Sequence, residues 1–495
     1  MKKKFKIFLI ILAVAAVAAG AVTAAVTSVR ASDESQFEYI TENGEATIKS
    51  ITPLGRIVKI PETLGGCPVA AINAWVINDG FDCVISRLYI PSTVKSIDAE
   101  AFCNGFELRR FEVDKENEYY ATDKKGVLFS KDMTELVQYP LGAFRKLYEI
   151  PAGTKGINDF AFYQATYISK VIVPEGVTHI GVDAFCNAHK MNEIVLPDSI
   201  ESVGRQSISH AFNSEELPAN LKEIGDSTFA EYEGTDLVIP DGVVSIGSGA
   251  FRYCQSLETV TIPASVEAIG EDAFYGCEFL TRYIVHPDNK NYSSDDFGVL
   301  YNKDKTEIIR VPQALTEFCY PETMTHIGQE FVEHERILRI SVPGSITSMD
   351  ECAFYASRLE IIEFFDTKMG TTKLEEISDG AFAKCDCLTE VRIPQGVKVI
   401  GEKAFAQCDN VQVIELSDTV EEIEDGAFLK CGKVNEITIP ETVNEIGENA
   451  VGYFYSVPVE KEHNRGKIEG FVIHGAENSA AAAYAEENGF EIIAA

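Results

Sequence analysis

The feature that most constrains this 495-residue chain is an internal repeat of about 23 residues. In residues 389–451, for example, Ile393, Leu416 and Ile439 follow one another at 23-residue intervals. A fixed period of this length indicates a solenoid, in which each coil buries its apolar side chains only against neighbouring coils. Because such a core grows along one axis, the length predicts one long repeat domain rather than several globular ones.

One coil, residues 257–277, shows the local structure that we expect. It reads LETVTIPASVEAIGEDAFYGC. The first part alternates, which predicts a strand with Val260 and Ile262 inward and the neighbouring threonines outward. Pro263 ends the strand because it has no N–H to donate. The remainder turns the chain, with a glycine at a bend and a short helical turn around Phe274. This pattern predicts a β-rich solenoid with little regular helix.

A large inward residue and a cysteine recur in successive coils. The inward positions are Trp75, Phe102, Phe162, Phe185, Ile208 or Phe212 in an irregular coil, Phe229, Phe251, Phe274, Phe331, Phe354, Phe382, Phe405, Phe428 and Val451. Five coils have a cysteine three residues later, at Cys254, Cys277, Cys385, Cys408 and Cys431. Stacking predicts a buried row of thiols, and parallel side-chain directions disfavour disulfides between them.

Two similar insertions, residues 112–140 and 284–312, interrupt the period. Each reads as a hairpin added to the stack, with Gly-Val-Leu followed by an aromatic residue, a polar turn and an apolar alternation. We match Asn117 with Asn291 and Tyr120 with Tyr292. The acidic and Asn residues of the second insertion raise a calcium loop as an alternative, but they lack its Asp spacing and closing Glu. A solvated turn is the favoured interpretation.

The N-terminal residues 1–31 differ from the rest. A lysine-rich start precedes an uncharged run over residues 7–29, which is typical of a segment that directs export. The run is long enough to span a bilayer, so we expect a membrane anchor. Cleavage of a signal peptide, followed by secretion, is the alternative. Residues 32–71, with turn pairs Asn43-Gly44 and Gly65-Gly66, are expected to cap the solenoid.

The C-terminal end also predicts a cap. We expect the solenoid to cover residues 72–456 and the cap to cover residues 457–495. Within the cap the pattern predicts a strand, a helix over residues 479–488, Gly489 as its C-cap and a last short strand.

Charge and motifs narrow the function. The chain has 77 acidic and 43 basic residues and a formal net charge of -34. Because an acidic surface repels phosphate backbones, nucleic acid is not an expected partner. The sequence has no nucleotide-binding loop, zinc-protease motif or nucleophile elbow, and Cys385 and Cys387 lack nearby histidines for zinc. We therefore expect no enzyme, no cofactor and no metal site.

The repeat unit carries a family resemblance. Residues 262–283, IPASVEAIGEDAFYGCEFLTRY, resemble the BspA-like class of leucine-rich repeat, and the resemblance extends over roughly residues 37–495. It implies a curved solenoid with parallel strands on its concave face. It also implies an exported bacterial cell-surface protein of the adhesion type, whose partner is a protein. It supplies no catalytic residues to this chain.

The residues that differ between coils lie on the outward face of the strands. Arg282, Arg339 and Arg392 are expected there, against an otherwise acidic molecule. Because arginine is favoured at protein interfaces, these three are the candidate ligand-binding residues for an extracellular or envelope protein. The alternative is an ordinary solvated face on a structural spacer that has no specific ligand. Few aromatic residues are expected on this face, which disfavours a stacking platform for sugars.

Overall fold

The structure is a computed structural model that describes residues 31–77, 84–208, 216–329, 336–365, 372–454 and 466–494. Regular coils of a solenoid each contribute strands to two parallel ladders. The described residues fall into two compact units. The first contains residues up to Gly234, Pro240–Cys254 and Ala268–Tyr275, and the second contains Thr235–Ile239, Gln255–Glu267 and the residues from Gly276 onward.

The first ladder holds the strand predicted at the start of each coil. It is divided into several short sheets, and within each sheet neighbouring strands pair in parallel, with Thr259 opposite Arg282. Val260 and Ile262 are buried, which confirms the predicted inward face. In the first unit these strands are Ile57–Lys59, Arg87–Ile90, Arg110–Val113, Leu147–Glu149, Lys170–Ile172 and Glu193–Val195. In the second unit they are Asp236–Val238, Thr259–Ile262, Arg282–Val285, Glu317–Cys319, Arg339–Pro343, Ile361–Phe365, Glu390–Arg392, Val413–Glu415, Glu436–Thr438, Val472–Gly475 and Glu491–Ala494.

The second ladder was not predicted. It consists mostly of two-residue strands in the stretch that we interpreted as a turn, and parallel pairing there satisfies backbone groups between coils. In the first unit they are Cys67–Ile72, Ser96–Ile97, Gly156–Ile157, His179–Ile180, Ser202–Val203, Glu223–Ile224, Ser245–Ile246 and Ala268–Ile269. In the second unit they are His326–Ile327, Ser348–Met349, Glu376–Ile377, Val399–Ile400, Glu422–Ile423 and Glu445–Ile446.

The glycine after the second ladder lets adjacent coils approach closely. A Cβ atom at Gly181 would lie 2.3 Å from the backbone nitrogen of Asp159, and one at Gly447 would lie 2.5 Å from that of Asp425. The Asp159 carboxylate accepts a hydrogen bond from the N–H of Val182 at 2.7 Å. Neither glycine has a positive φ, so the close approach, rather than a left-handed backbone, excludes a side chain.

The predicted phenylalanine row lies in the core. Phe382, Phe405 and Phe428 are buried, and their rings stack with centroid separations of 5.1 and 5.4 Å. Of the two residues considered for the irregular coil, Ile208 is buried and Phe212 lies outside the described residues, as does Phe331.

The assignment of Trp75 to this row is wrong. Its side chain is 42% exposed, whereas Val76 is fully buried. The Val76 N–H donates to the Ala101 carbonyl, as the Phe162 N–H donates to the Ala184 carbonyl in a regular coil. Val76, rather than Trp75, therefore occupies the position that phenylalanine has in later coils, one residue later than the spacing predicted.

The predicted row of thiols is present. Cys385, Cys408 and Cys431 are buried, and each thiol donates to the carbonyl of the phenylalanine one coil earlier, at 3.2–3.4 Å. Burial raises the pKa of the Cys385 and Cys431 thiols to about 12. These thiols therefore stay protonated at neutral pH, and a protonated thiol is neither a good nucleophile nor a good metal ligand.

Each insertion forms a three-stranded antiparallel meander rather than a single hairpin. The strands are Tyr120–Thr122, Leu128–Ser130 and Glu135–Gln138 in the first insertion, and Tyr292–Ser294, Leu300–Asn302 and Ile308–Arg310 in the second. The strand Glu135–Gln138 also pairs in parallel with Gly156–Ile157, so the first insertion joins the second ladder.

A buried asparagine ties each insertion to the preceding coil, and it corrects the predicted match. Asn289, not Asn291, corresponds to Asn117. The Asn289 side-chain amide donates to the carbonyls of Pro263 and Val266 at 2.8 and 3.0 Å. Its carbonyl accepts the N–H groups of Asn291 and Tyr292. Asn117 makes the same four bonds in the first insertion. The Asn289 side chain therefore donates two hydrogen bonds and accepts two within the protein, which leaves its amide oxygen no lone pair for calcium.

Short antiparallel strand pairs occur in the N-terminal part of the described chain. A 3₁₀ turn, Glu34–Gln36, leads into strands Phe37–Glu42 and Glu45–Ile51, which pair across the predicted Asn43-Gly44 turn. Thr63–Leu64 pairs with Cys67–Ile72 across Gly65-Gly66.

The predicted segment over residues 7–29 lies outside the described residues, and no helix in the described part of the chain is long and apolar enough to cross a membrane.

The C-terminal helix is confirmed. It covers Ala480–Asn488, with Ser479 as N-cap and Gly489 in a left-handed conformation as C-cap. Tyr484 is buried, and its hydroxyl donates to the carbonyl of Val451 at 3.0 Å. This bond fixes the helix against the last coil with a recognisable repeat, and the strand Glu491–Ala494 follows it.

Candidate binding surfaces

The first surface is the strand face, which we define as the outward side chains of the first ladder. Arg282 and Arg339 are the first residues of their strands and Arg392 is the last residue of its strand. All three side chains are exposed, as predicted from the alternation. The turn of the second insertion packs at the base of Arg282, since a Cβ atom at Gly298 would lie 2.2 Å from the Arg282 Cβ.

Acidic neighbours on the same face bind two of these arginines. Arg339 Nη1 lies 3.0 Å from Glu363 Oε1. Arg392 bridges two carboxylates, with Nη2 3.1 Å from Glu390 Oε2 and Nη1 2.5 Å from Glu415 Oε2. Exposed ion pairs of this kind contribute little to stability. They do, however, balance the positive charges of Arg339 and Arg392, two of the three predicted contact residues.

The three arginines do not converge on one point. Along the chain, the strand Ile361–Phe365 lies between the strand of Arg339 and the strand of Arg392. The second insertion lies between the strand of Arg282 and the strand of Arg339. The face also exposes apolar side chains, with Val238 61% exposed and Ile284 46% exposed in the same column of the ladder. It is therefore a mixed surface of charge pairs and single aliphatic residues.

A second surface, in the first unit, was missed by the sequence analysis. It lies at the turns before four first-ladder strands, and each turn contributes one side chain. These four side chains form an aromatic–cation stack: Arg109, Phe144, Tyr167 and Lys190. The Arg109 Cζ lies 4.1 Å from the centroid of the Phe144 ring. The Phe144 and Tyr167 rings are 4.4 Å apart, and Lys190 Nζ lies 5.1 Å from the Tyr167 ring.

A groove of about 550 Å³ lies beside this stack and has Lys190 in its wall. We call it the stack groove. The Phe106 ring, 44% exposed, forms another part of the wall. The remaining lining residues are Gln164, Ala165, Thr166, Asn187 and His189. The lining therefore combines one aromatic ring and one alanine with five polar or charged side chains.

The sequence does carry a signal for the stack. Phe144, Tyr167 and Lys190 follow one another at 23-residue intervals, each three residues before a strand. Equivalent positions of stacked coils lie next to each other, so the signal appears only when one position is followed from coil to coil.

A metal site requires several His, Cys, Asp or Glu side chains close together. Within the described ranges, no group of three or more His, Cys, Asp or Glu side chains is placed to hold a metal ion. Asp295, which the sequence offered for calcium, accepts the N–H of Val299 and the hydroxyl of Tyr301. Its carboxylate therefore serves to close the turn of the insertion.

Comparison with known proteins agrees with this architecture. A profile described as the BspA type leucine rich repeat region matches residues 79–124, 146–234, 222–360 and 370–459 in six copies. A search of the curated proteins gave no match. A solved leucine-rich repeat protein from Bacteroides ovatus is 22% identical, with a TM-score of 0.52, over 76% of this chain and 97% of that chain.

Two further solved structures are similar. One is a leucine-rich repeat protein from Eubacterium ventriosum, 21% identical over 70% of this chain and 95% of that chain, with a TM-score of 0.41. The other, described as a leucine rich cell surface protein from Faecalibacterium prausnitzii, is 21% identical over 86% and 96%, with a TM-score of 0.35. At these identities the similarity concerns the fold alone.

Proposed function

Since the chain belongs to the BspA-type leucine-rich repeat family, we propose that it is an exported surface protein that binds an extracellular or envelope protein on its strand face. The observation that carries the proposal is the difference in burial between the positions that the coils share and the positions at which they differ. The apolar positions shared between coils are mostly buried, and the outward strand positions, which differ between coils, are exposed or half-buried. Variable residues on a regular scaffold are suited to recognition.

The chemistry of the strand face supports a protein partner. Arginine provides planar, multidentate donors, and the exposed side chains of Val238, Ile284 and Val413 provide apolar area. Arg282, Arg339 and Arg392 are the proposed contacts. The two ion-paired arginines can exchange Glu363 or Glu415 for a carboxylate of the partner.

Export follows from the lysine-rich start and the uncharged run over residues 7–29. In this proposal the run remains as a membrane anchor with its basic end on the cytoplasmic side. Removal of the run by signal cleavage would give a secreted form with the same binding surface. The proposal involves no catalysis, which is consistent with the leucine-rich repeat, a non-enzymatic fold.

A structural role is the second candidate. The ion pairs of Arg339 and Arg392 favour it, because both guanidinium groups already have partners in the unbound protein. In this case the solenoid acts as a spacer or envelope component and its strand face stays solvated.

A triple variant separates the two candidates. Arg282→Glu, Arg339→Glu and Arg392→Glu together should lower binding to an immobilised extracellular protein at least about tenfold, since several charged contacts become repulsive. The measurement is a binding screen against a panel of extracellular proteins, followed by titration of each hit. The matched control is Lys290→Glu, Lys303→Glu and Lys433→Glu, which makes the same charge change off the strand face.

The outcomes point in different directions. Binding that is lost in the arginine variant and retained in the lysine variant supports the strand-face site. Equal binding by the wild-type protein and the arginine variant would remove that site. Absence of any hit in the panel would favour the structural role.

A further inference from the structure

We propose that the stack groove of the first unit binds a carboxylated saccharide. The proposal concerns a different surface from the strand face and does not depend on the protein partner proposed above. It rests on the positive charge at the end of the aromatic–cation stack, on the side chains that line the groove and on the hydrogen bonds of the backbone around the groove.

Lys190 gives the groove a positive charge that an anionic ligand can use. The chain carries a formal net charge of -34, yet the stack ends in Lys190, which contacts the Tyr167 ring and lines the groove. His189, next to it, is exposed and also lines the groove. At the other end, Arg109 lies over Phe144 with Nη2 3.5 Å from Glu107 Oε2. A carboxylate at Lys190 would form a charge-assisted hydrogen bond.

The groove wall matches the remaining surface of a sugar. A pyranose presents C–H groups on one face, which pack against the electron-rich face of an aromatic ring such as Phe106. Its hydroxyls need donors and acceptors, and the side chains of Gln164, Thr166 and Asn187 supply amide and hydroxyl groups. The volume of about 550 Å³ lies within the range of sites for small ligands.

The backbone around the groove disfavours an extended peptide. Peptides that add to a sheet edge need unpaired N–H and C=O groups. Here the N–H of Gln164 donates to the Cys186 carbonyl at 2.9 Å, and that of Thr166 donates to the Leu141 carbonyl at 3.1 Å. The N–H of His189 donates to the Asn187 carbonyl. These three N–H groups are therefore not available to pair with a peptide strand, whereas the polar side chains of the groove can bind a polyhydroxylated ligand.

Titration of the full-length protein with defined saccharides tests the proposal. The probes are 3′-sialyllactose and trigalacturonate, which carry the carboxylate on different sugars, with lactose as the neutral control and hexaglutamate as the acidic peptide control. At least one acidic saccharide should bind, and lactose should bind about tenfold more weakly or not at all. Which of the two acidic probes binds identifies the class of sugar acid.

Variants locate the binding site. Lys190→Gln and Phe106→Ala should each weaken the acidic saccharide about tenfold or more, as expected for the loss of a charged donor or an aromatic contact. Lys433→Gln, at the same coil position in the second unit, should leave binding unchanged. Thermal unfolding of each variant at the wild-type temperature shows that the coil is intact.

Three results would overturn the proposal. The first is failure of both acidic saccharides to bind. The second is wild-type affinity in Lys190→Gln and Phe106→Ala. The third is hexaglutamate binding as tightly as the saccharides with the same dependence on Lys190, which would assign the groove to an acidic peptide.

Discussion

Replacing Phe405 by alanine should lower the free energy of unfolding by about 3–5 kcal/mol. The Phe405 ring is fully buried and stacks on Phe382 on one side and on Phe428 on the other. Its removal leaves a cavity between two coils whose approach is fixed by backbone hydrogen bonds, including that from the Phe405 N–H to the Ala427 carbonyl at 2.8 Å. The cavity therefore cannot collapse fully.

Hydrogen-exchange mass spectrometry suits this measurement, because unfolding in a solenoid can be local to a few coils. The amides of the flanking coils should lose protection in Phe405→Ala. Val413→Ala is the matched control, since that side chain is 42% exposed on the strand face. It should change stability by less than about 0.5 kcal/mol. Equal protection in the two variants would contradict the inward assignment of the phenylalanine row.

Replacing Asn289 by alanine should cost about 4 kcal/mol, at roughly 1 kcal/mol for each hydrogen bond lost. The buried side chain makes four such bonds, two to carbonyls of the preceding coil and two from amides of its own insertion. Alanine leaves all four backbone groups without this partner. The insertion should then open at lower denaturant concentration than the regular coils.

Asn291→Ala is the control for this substitution, in the same loop. The Asn291 side chain makes one exposed bond, to the Glu267 carbonyl at 2.8 Å, so its loss should cost less than about 1 kcal/mol. The readout is the exchange protection of residues 284–312 in each variant. A larger loss of protection in Asn291→Ala would restore the match of Asn117 with Asn291 and reject the role assigned to Asn289.

The sequence predicted the coil well because the coil is specified by repetition. Val260, Ile262, Phe405 and Cys408 are buried as expected, since each has equivalents in neighbouring coils. The second ladder was missed because a two-residue strand such as Ala268–Ile269 is too short to show an alternation. Trp75 was misplaced because the spacing was extended to a first coil whose register differs by one residue.

Residues that act between coils were harder to predict. Asn289 was overlooked because its partners, Pro263 and Val266, lie more than 20 positions earlier in the chain. The aromatic–cation stack was overlooked for the same reason, since Phe144 and Tyr167 become neighbours only through stacking. The arginines of the strand face were placed correctly on exposed positions, but their acidic partners were not foreseen.

Export is the claim on which the proposed function depends most directly, and one measurement tests it. Cells that produce the protein are fractionated, and the recovered protein is sequenced from its N-terminus. We predict recovery in the envelope fraction with residues 7–29 retained, or in the medium with a new N-terminus near residue 26 or 32. Recovery of the intact chain in the cytoplasmic fraction would contradict the account.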